Sequence, residues 1–300
     1  MLLSFLIMGL LVSHDIHLPE KTLPGPEFNK KLEEGVQAFY QTEWGRARKI
    51  FDELKSESPS NPMPYFFESM MPFWEYFFVN QTEELATEFL EKSEKAIELS
   101  NKRLDKVPGD TTMVMILSGL HGYRSLVAAG ESNYKIAIRS SMTGFSYTRK
   151  LLSLDSDRPD AKIGRGMYYY MLGSVPKEMK WVTNIAGLKG DIEMGLSELT
   201  LAAQSDSYVR HDAKMILMYL LNREEKYEEA LVYAEKLTKE FPENVIFIYK
   251  KAEIYEKLGK MDLAKDQFTK ILELDNKFLR EVTNKSSSRI RELEELTLKN

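Results

Sequence analysis

The stretch NREEKYEEALVYAEKLTKEFPEN, residues 222–244, decides the fold of this chain. Within it, Ala230, Ala234, Leu237 and Pro242 follow one another at intervals of four, three and five residues. The first three share one face of a helix, because residues three and four positions apart are neighbours on a helical surface. Pro242 then ends the helix, since proline lacks the backbone N–H that another turn would need.

The same pattern returns 34 residues farther along, at Ala264, Phe268 and Ile271. A small residue early in the second helix of a hairpin lets the two helices approach closely, and the residue one turn later fills the groove between them. Gly259 supplies the glycine that is common just past a helix end. The segment resembles a tetratricopeptide repeat, a helix–turn–helix unit of about 34 residues.

The repeat pattern also fits near the N-terminus, where Gly35, Ala47, Phe51 and Pro59 are separated by twelve, four and eight residues. The regular repeats are therefore predicted at about 28–61, 211–244 and 245–278. A polar helix at about 279–299 would cover the last apolar face. These features predict an all-α fold, a right-handed superhelical solenoid of helix–turn–helix repeats, as one domain over residues 27–300.

The middle of the chain, residues 62–210, stays helical in pattern but leaves the 34-residue period. Gly166 and Gly195 occupy the small-residue positions of one hairpin, yet they are 29 residues apart instead of twelve, so 17 residues are inserted between its helices. Asp110, Thr82 and Asp191 are predicted helix N-caps. The helices are predicted at about 64–79, 83–104, 111–129, 133–154, 159–173 and 190–205.

The run GRGMYYYMLGSVPKEMKWVTNIAGLKGDIEMGLSEL, residues 164–199, resembles a subfamily of divergent bacterial tetratricopeptide proteins, many of them exported. More distantly it is similar to the tetratricopeptide 39 and inclusion-body-clearance outer-membrane proteins. The resemblance implies the fold and a non-catalytic role, and names no ligand. The residues that carry it are Gly164, Gly166, Pro176, Gly187, Gly190, Asp191, Gly195 and Leu196.

The N-terminal segment begins with an apolar run from Leu2 to Val12, the length of a signal-peptide core and too short to span a bilayer. Pro19, Pro24 and Pro26 follow and are typical of a tether. Residues 1–26 are therefore predicted to be a signal peptide, or an anchor that associates with a membrane, and the protein to be exported. The alternative is a buried N-terminal helix in a cytoplasmic protein.

Composition and charge exclude several functions. The chain has 41 basic and 46 acidic residues and no cysteine. The net charge of −5 gives no general attraction to nucleic acid, and thiol chemistry is absent. The four histidines show no metal-ligand spacing and no catalytic set of residues is found, so neither cofactor, metal nor enzymatic activity is predicted. They are His14, His17, His121 and His211.

The concave face of tandem helical hairpins commonly binds partner segments. First-helix positions predicted to face it are mixed apolar and acidic, which favours a protein-interaction scaffold with a protein or peptide partner. They lack the Lys/Asn cluster that clamps a C-terminal carboxylate. These positions are Leu32, Val36, Phe39, Met215, Tyr219, Asn222, Tyr249, Glu253 and Glu256.

A second feature is the aromatic run YFFESMMPFWEYFF, residues 65–78, in which eight of fourteen residues are aromatic. One interpretation is a helix buried on all sides, and the other is an apolar wall for a lipid, small molecule or peptide. The second would make the protein an apolar-ligand carrier. The segment 177–188 either packs over its hairpin or lies on a membrane surface. The apolar-groove candidates are Tyr65, Phe66, Trp74, Tyr168, Tyr169 and Trp181.

Overall fold

The computed structural model describes residues 25–154, 159–175, 190–206 and 209–299. Within these ranges the chain forms thirteen α-helices and no strand, and consecutive helices pack on one another. The predicted fold class, an all-α solenoid of helix–turn–helix repeats, is confirmed. The helices are α1 Pro26–Tyr40, α2 Trp44–Glu57, α3 Pro62–Phe78, α4 Glu83–Lys106, α5 Thr111–Gly130, α6 Tyr134–Leu154, α7 Pro159–Gly173, α8 Ile192–Ala203, α9 Val209–Arg223, α10 Tyr227–Glu240, α11 Val245–Lys257, α12 Met261–Leu274 and α13 Arg280–Lys299.

The helices group into two compact units. The middle unit, Ser100–Leu217, holds α5 to α8 with the adjoining ends of α4 and α9. The terminal unit consists of the described residues of 25–99 and 218–299, and holds α1 to α3, α10 to α13 and the rest of α4 and α9. The predicted domain range 27–300 spans both units.

The predicted helix starts follow from their caps. The Asp110 carboxylate accepts a hydrogen bond from the backbone N–H of Met113 at 3.1 Å, and Asp191 does the same for Met194 at 2.8 Å. Each satisfies a backbone donor that the first helical turn leaves unpaired. The six helices predicted in the middle of the chain match the structure to within two residues at each end.

In the terminal unit, the small residues of the repeat pattern lie where helices cross. Ala230, Ala264 and Phe268 have no exposed surface. A Cβ atom at Gly35 would lie 2.6 Å from a ring carbon of Phe51, so no larger residue fits without movement. Each of the three predicted repeat ranges holds two helices, and α13 follows the last of them.

The first repeat packs directly against the last two, through what we call the polar node of Thr42, Asn244 and Asn276. The Asn244 amide donates to the Tyr40 carbonyl at 2.5 Å, while its oxygen accepts from the backbone N–H of Phe247 at 2.8 Å. The Asn276 amide donates to the Thr42 carbonyl at 3.0 Å. The bonds from Asn244 to Tyr40 and from Asn276 to Thr42 join segments more than 200 positions apart in the sequence.

Helix α3 supplies an aromatic core to the terminal unit. Thirteen of its 17 residues are buried, which supports the interpretation of 65–78 as a helix surrounded by protein. The Trp74 ring lies 4.7 Å from Phe39, 5.3 Å from Tyr40 and 5.6 Å from Phe247, measured between centroids. The same aromatic side chains therefore hold the first and last repeats together.

In the middle unit, α5 packs on α6 and α7 packs on α8. A Cβ atom at Gly166 would lie 2.9 Å from the Gly195 carbonyl oxygen, so the two helices touch backbone to backbone. The predicted pairing of these glycines across the inserted residues is confirmed. Residues 176–189, most of that insertion, and the N-terminal segment 1–24 lie outside the described residues.

Candidate functional site

Four of the predicted partner-binding residues form a repeated pair of positions on the first helices α9 and α11. Tyr219 and Glu253 are 34 residues apart, and so are Asn222 and Glu256. All four side chains are partly exposed. Equivalent positions of consecutive repeats therefore present an aromatic or amide group on α9 and a carboxylate on α11. We call these four residues the repeat surface.

Tyr219 is held in place from one side by aromatic rings of α3. Its ring centroid lies 4.8 Å from that of Phe77 and 6.2 Å from that of Phe78. Burial raises the pKa of its hydroxyl, and the nearby Arg223 opposes that rise only in part. The hydroxyl is therefore a neutral hydrogen-bonding group on a rigid, partly exposed ring, a combination that suits protein contacts.

The two carboxylates of the repeat surface are each paired with one cation. Glu256 accepts hydrogen bonds from two nitrogens of Arg289, at 2.7 and 3.1 Å, and Glu253 pairs with Lys250 at 2.8 Å. Burial raises the pKa of Tyr249 strongly, and the negative charges of Glu253 and Glu256 raise it further. Each of the two carboxylates therefore has one cation beside it, and together they raise the pKa of Tyr249 in spite of Arg289.

The other predicted partner-binding positions lie mostly inside the protein. Leu32, Phe39 and Met215 are 2% exposed or less, and Tyr249 is 7% exposed, so these side chains stabilise the helix packing. Val36 is partly exposed. A 34-residue period identifies the inward stripe of a first helix, but burial depends on which helices lie opposite, and only the structure shows that.

The apolar-groove candidates also divide into buried and partly exposed side chains. Phe66 and Trp74 have no exposed surface, so neither ring offers a wall to a ligand in this structure. Tyr65 is partly exposed, with the Lys55 ammonium 5.6 Å from its ring centroid. Tyr168 and Tyr169 belong to the middle unit, and their ring centroids lie 5.5 Å apart. Trp181 lies outside the described residues.

Sequence reasoning missed a cavity of about 380 Å³ between α5, α6 and α7, wholly within the middle unit. Tyr168 lines it, with its ring 5.8 Å from Phe145 on α6. The described residues around the cavity are all uncharged and include four methionines and four glycines. The signal in the sequence was the density of glycine and methionine in 115–171, which helix periodicity alone does not single out.

Two carboxyl groups on α3 show opposite pKa shifts. Burial acts to raise the pKa of Glu68, but hydrogen bonds from Lys55 at 2.6 Å and Lys92 at 2.7 Å outweigh it and hold that pKa below its ordinary value. Burial raises the pKa of Glu75, and the neighbouring charges of Glu88 and Glu281 raise it further against the opposing effect of Arg48. Glu68 is therefore a structural ion-pair centre, whereas Glu75 lacks a comparable cation.

The described ranges were expected to hold no metal-binding cluster. No group of three or more His, Asp or Glu there is arranged to hold a metal ion. His121 stacks on Tyr147 with ring centroids 5.9 Å apart, and burial with the charges of Arg124 and Arg139 lowers its pKa to about 4. It is neutral at physiological pH.

None of the described helices combines the length and apolarity that crossing a bilayer requires.

Comparison with known families places the resemblance in the second half of the chain. Residues 159–284 match the family model described as Iml2/Tetratricopeptide repeat protein 39. The match covers the glycine-rich run at 164–199 and both C-terminal repeats, so the predicted resemblance to this family is confirmed. No curated protein matches the chain.

Among solved structures, the chain is similar to the crystal structure of a thermophilic tetratricopeptide repeat protein from Thermus thermophilus. The sequences are 15% identical, and the alignment covers 88% of this chain and 98% of the other. The TM-score is 0.31.

Proposed function

We propose that this protein is a non-enzymatic scaffold that binds a segment of a partner protein across the repeat surface of α9 and α11. Proteins built from tetratricopeptide-type repeats generally mediate protein interactions without catalysis. The observation that carries the proposal is the 34-residue correspondence of four partly exposed side chains, Tyr219 with Glu253 and Asn222 with Glu256. A surface that repeats along the chain suits an extended or helical segment.

The charges of the repeat surface favour a basic segment as the partner. Glu253, Glu256 and Glu281 all raise the pKa of Tyr249, and the cations paired with the first two are Lys250 and Arg289. Three carboxylates lie around two cations here, so lysine or arginine side chains of a partner would be attracted to this surface. Nucleic acid is disfavoured for the same reason.

We further propose that the protein is exported or attached to the cell envelope through residues 1–26. The support is the apolar run Leu2–Val12 followed by a proline-containing stretch. Cell fractionation with an antibody against the C-terminus tests this: export predicts a periplasmic or envelope fraction, and a purely cytoplasmic protein would contradict it.

The interaction proposal is tested by placing a photo-cross-linking amino acid at Asn222 in cells. The matched control is the same amino acid at Glu228, an exposed position on the second helix α10. We expect a discrete cross-linked band from position 222 and none from position 228. The variant Glu253→Lys, which reverses one charge of the surface, should then reduce the yield at position 222 severalfold.

The result that contradicts the proposal is equally specific. Equal cross-linking from both positions would show nonspecific contact, and no cross-linking from position 222 in any growth condition would remove the repeat surface as a binding site. A circular dichroism spectrum and melting temperature for each variant establish that the helices remain folded.

A further inference from the structure

We infer that the cavity between α5, α6 and α7 binds the hydrocarbon chain of an anionic amphiphile, such as a fatty acid or an acidic lipid. The ligand class is the one considered for the aromatic helix 65–78, but the site is in another unit of the protein. The inference rests on three features that occur together in the middle unit: an uncharged cavity, an exposed apolar rim and a helix with cationic side chains only.

The cavity has the size and lining of a site for an alkyl chain. Its volume is about 380 Å³. An apolar cavity of about 150 Å³ holds one benzene molecule, so by the same scale this one has room for about 15 carbon atoms. Its lining includes Met115, Met142, Met167 and Met171, whose flexible, polarisable side chains adapt to irregular apolar ligands.

Three hydroxyl groups of the lining already have hydrogen-bond partners within the protein. The hydroxyls of Ser118 and Thr148 hydrogen-bond to each other at 2.6 Å, and Thr148 also donates to the Gly144 carbonyl at 3.0 Å. Ser125 donates to the Ala137 carbonyl at 2.9 Å. A hydrocarbon can therefore fill the cavity without leaving these hydroxyls unpaired.

The rim of the cavity is unusually apolar for a protein surface. Tyr134, Ile138 and Met142 follow one another at four-residue intervals on α6 and are 65%, 62% and 70% exposed. Leu126 on α5 and Met171 on α7 are 47% and 54% exposed. Clusters of exposed apolar side chains are typical of binding sites, and three of these residues, Met142, Leu126 and Met171, also line the cavity.

Helix α6 makes the rim cationic. Between residues 134 and 154 it carries Lys135, Arg139, Arg149 and Lys150, and it has no Asp or Glu. None of the four forms an ion pair with another side chain in the described part of the chain. Lys135 and Arg149 lie seven residues before and after Met142, so they share its side of the helix, about 10 Å away along the axis. An anionic headgroup at the rim would find several cations, which favours an acidic amphiphile over a neutral one.

The shape favours an acyl chain over a protein segment. The space is recessed between three helices, whereas a docked helix needs an elongated groove that receives side chains at positions i, i+3, i+4 and i+7. A single chain of about 12 to 15 carbons matches the space. A protein segment is therefore an outcome to be tested, and not the occupant we assign.

The test measures binding of dodecanoate, below its micelle concentration, to the whole 300-residue chain by titration calorimetry and by NMR of ¹³C-labelled methionine methyls. We expect saturable 1:1 binding and shifts at the four methionines of the cavity. Met63 and Met70 in the terminal unit are buried and should not shift, so they serve as internal controls.

A larger side chain at Gly122 is expected to fill the cavity without disturbing its walls. It lines the space, and a Cβ atom added there would meet nothing within 4 Å. Gly122→Phe should lower dodecanoate affinity at least tenfold, while Gly122→Ala, which adds only a methyl group, should leave it within about twofold. Equal melting temperatures of the two variants would show that the loss is due to the filled space.

The charge of the headgroup is tested separately. Reversing Lys135, Arg139 and Arg149 to Glu should weaken dodecanoate binding at least fivefold, and the same reversal at Lys239, Lys257 and Lys260 in the terminal unit should not. Methyl dodecanoate, which has no charge, should bind the unaltered protein at least fivefold more weakly than dodecanoate. Equal binding of the acid and the ester would overturn the anionic part of the inference.

The source of the ligand is distinguished with vesicles. Cosedimentation with phosphatidylglycerol vesicles but not phosphatidylcholine vesicles, lost in Gly122→Phe, would show that the chain is taken from a membrane lipid. Dodecanoate binding without cosedimentation would show a free fatty acid. Absence of saturable dodecanoate binding, binding unaffected by Gly122→Phe, or Gly122-dependent binding of an acidic amphipathic peptide alone would overturn the assignment.

Discussion

At the scale of single residues, Asn244 combines two bonds that are usually made by different side chains. Its oxygen caps α11 through the backbone N–H of Phe247, and its amide donates to the Tyr40 carbonyl of the first repeat. The residue has no exposed surface. Its removal therefore leaves a helix without its cap and a buried carbonyl without a donor.

We expect Asn244→Ala to lower the free energy of unfolding by about 2–3 kcal/mol, about 1 from the cap and the rest from the unpaired carbonyl. Urea unfolding followed by tryptophan fluorescence measures this, because Trp44 and Trp74 are both buried in the terminal unit.

Asn61→Ala is the matched control for this prediction. Asn61 caps α3 through the backbone N–H of Met63. Its loss should cost about 1 kcal/mol. Equal losses for the two variants would show that the bond from Asn244 to the first repeat adds no stability.

The two carboxyl groups on α3 predict opposite responses to pH. A carboxyl whose pKa is lowered on folding adds stability above its unfolded pKa of about 4.3, and this is lost as the pH falls through the folded pKa. A carboxyl whose pKa is raised on folding favours the folded state only while protonated, and that advantage is lost as the pH rises through the folded pKa. Glu68 is of the first kind and Glu75 of the second.

Glu68→Gln should therefore lower the free energy of unfolding at pH 7 by about 1–2 kcal/mol, since two charged hydrogen bonds are weakened. The melting temperature at pH 7 should fall accordingly. Glu75→Gln should raise it at pH 7, because an ionised group without a matching cation is removed. Below pH 4 both differences should shrink. Thermal unfolding of both variants at pH 7 and below pH 4 measures these differences. A change in melting temperature of the same sign for both variants at pH 7 would contradict the causes given for the two pKa shifts.

At the scale of helices, the crossing of α7 and α8 depends on having no side chain at Gly166. An added Cβ atom would lie 2.7 Å from Leu199 and 2.9 Å from the Gly195 carbonyl oxygen, and a backbone atom cannot rotate away. Gly166→Ala should therefore destabilise the middle unit by about 1–3 kcal/mol in spite of the better helix propensity of alanine.

Gly122→Ala provides the contrast within the same unit. Its added methyl group meets open space, so the change should be neutral or stabilise by up to about 1 kcal/mol. Melting followed by circular dichroism measures both variants. A neutral effect at Gly166 would mean that the helices separate easily and that the close crossing is not needed.

Helix positions were largely predictable from the sequence because their causes are local. Caps such as Asp110 and Asp191, and apolar residues at intervals of three and four, place helix ends to within two residues. The repeat surface was partly predictable, since the 34-residue period fixes which side of a first helix faces inward. Burial of Phe39 and Met215 was not, because it depends on helices far away in sequence. The cavity was also missed, since empty space between helices leaves no periodic signal.

At the scale of the whole molecule, the polar node and the aromatic core make the two ends of the chain one packing unit. An ideal repeat array has contacts between sequence neighbours only, so that its ends open separately. Here Tyr40 packs on Phe241 at 5.2 Å and Trp74 on Phe247 at 5.6 Å.

We therefore expect α1, α2 and α11, which all lie in the terminal unit, to open together. Hydrogen exchange measured by mass spectrometry should give the same opening free energy for α1, α2 and α11, to within about 1 kcal/mol. The variant Asn244→Ala should lower all three in parallel. Early exchange of α1 and α2 alone, with α11 still protected, would contradict this coupling.

The distance in sequence between Tyr40 and its partner Asn244 also determines how long the nascent chain lacks this contact during synthesis. A ribosome adds about 5–20 residues per second, so the 204 positions between them take about 10–40 s to appear. For most of that interval Phe39, Tyr40 and Trp74 have been made while Phe241 and Phe247 have not. The nascent chain thus carries an unmatched aromatic surface until its last quarter emerges, and it is during this wait that a holding chaperone would protect it.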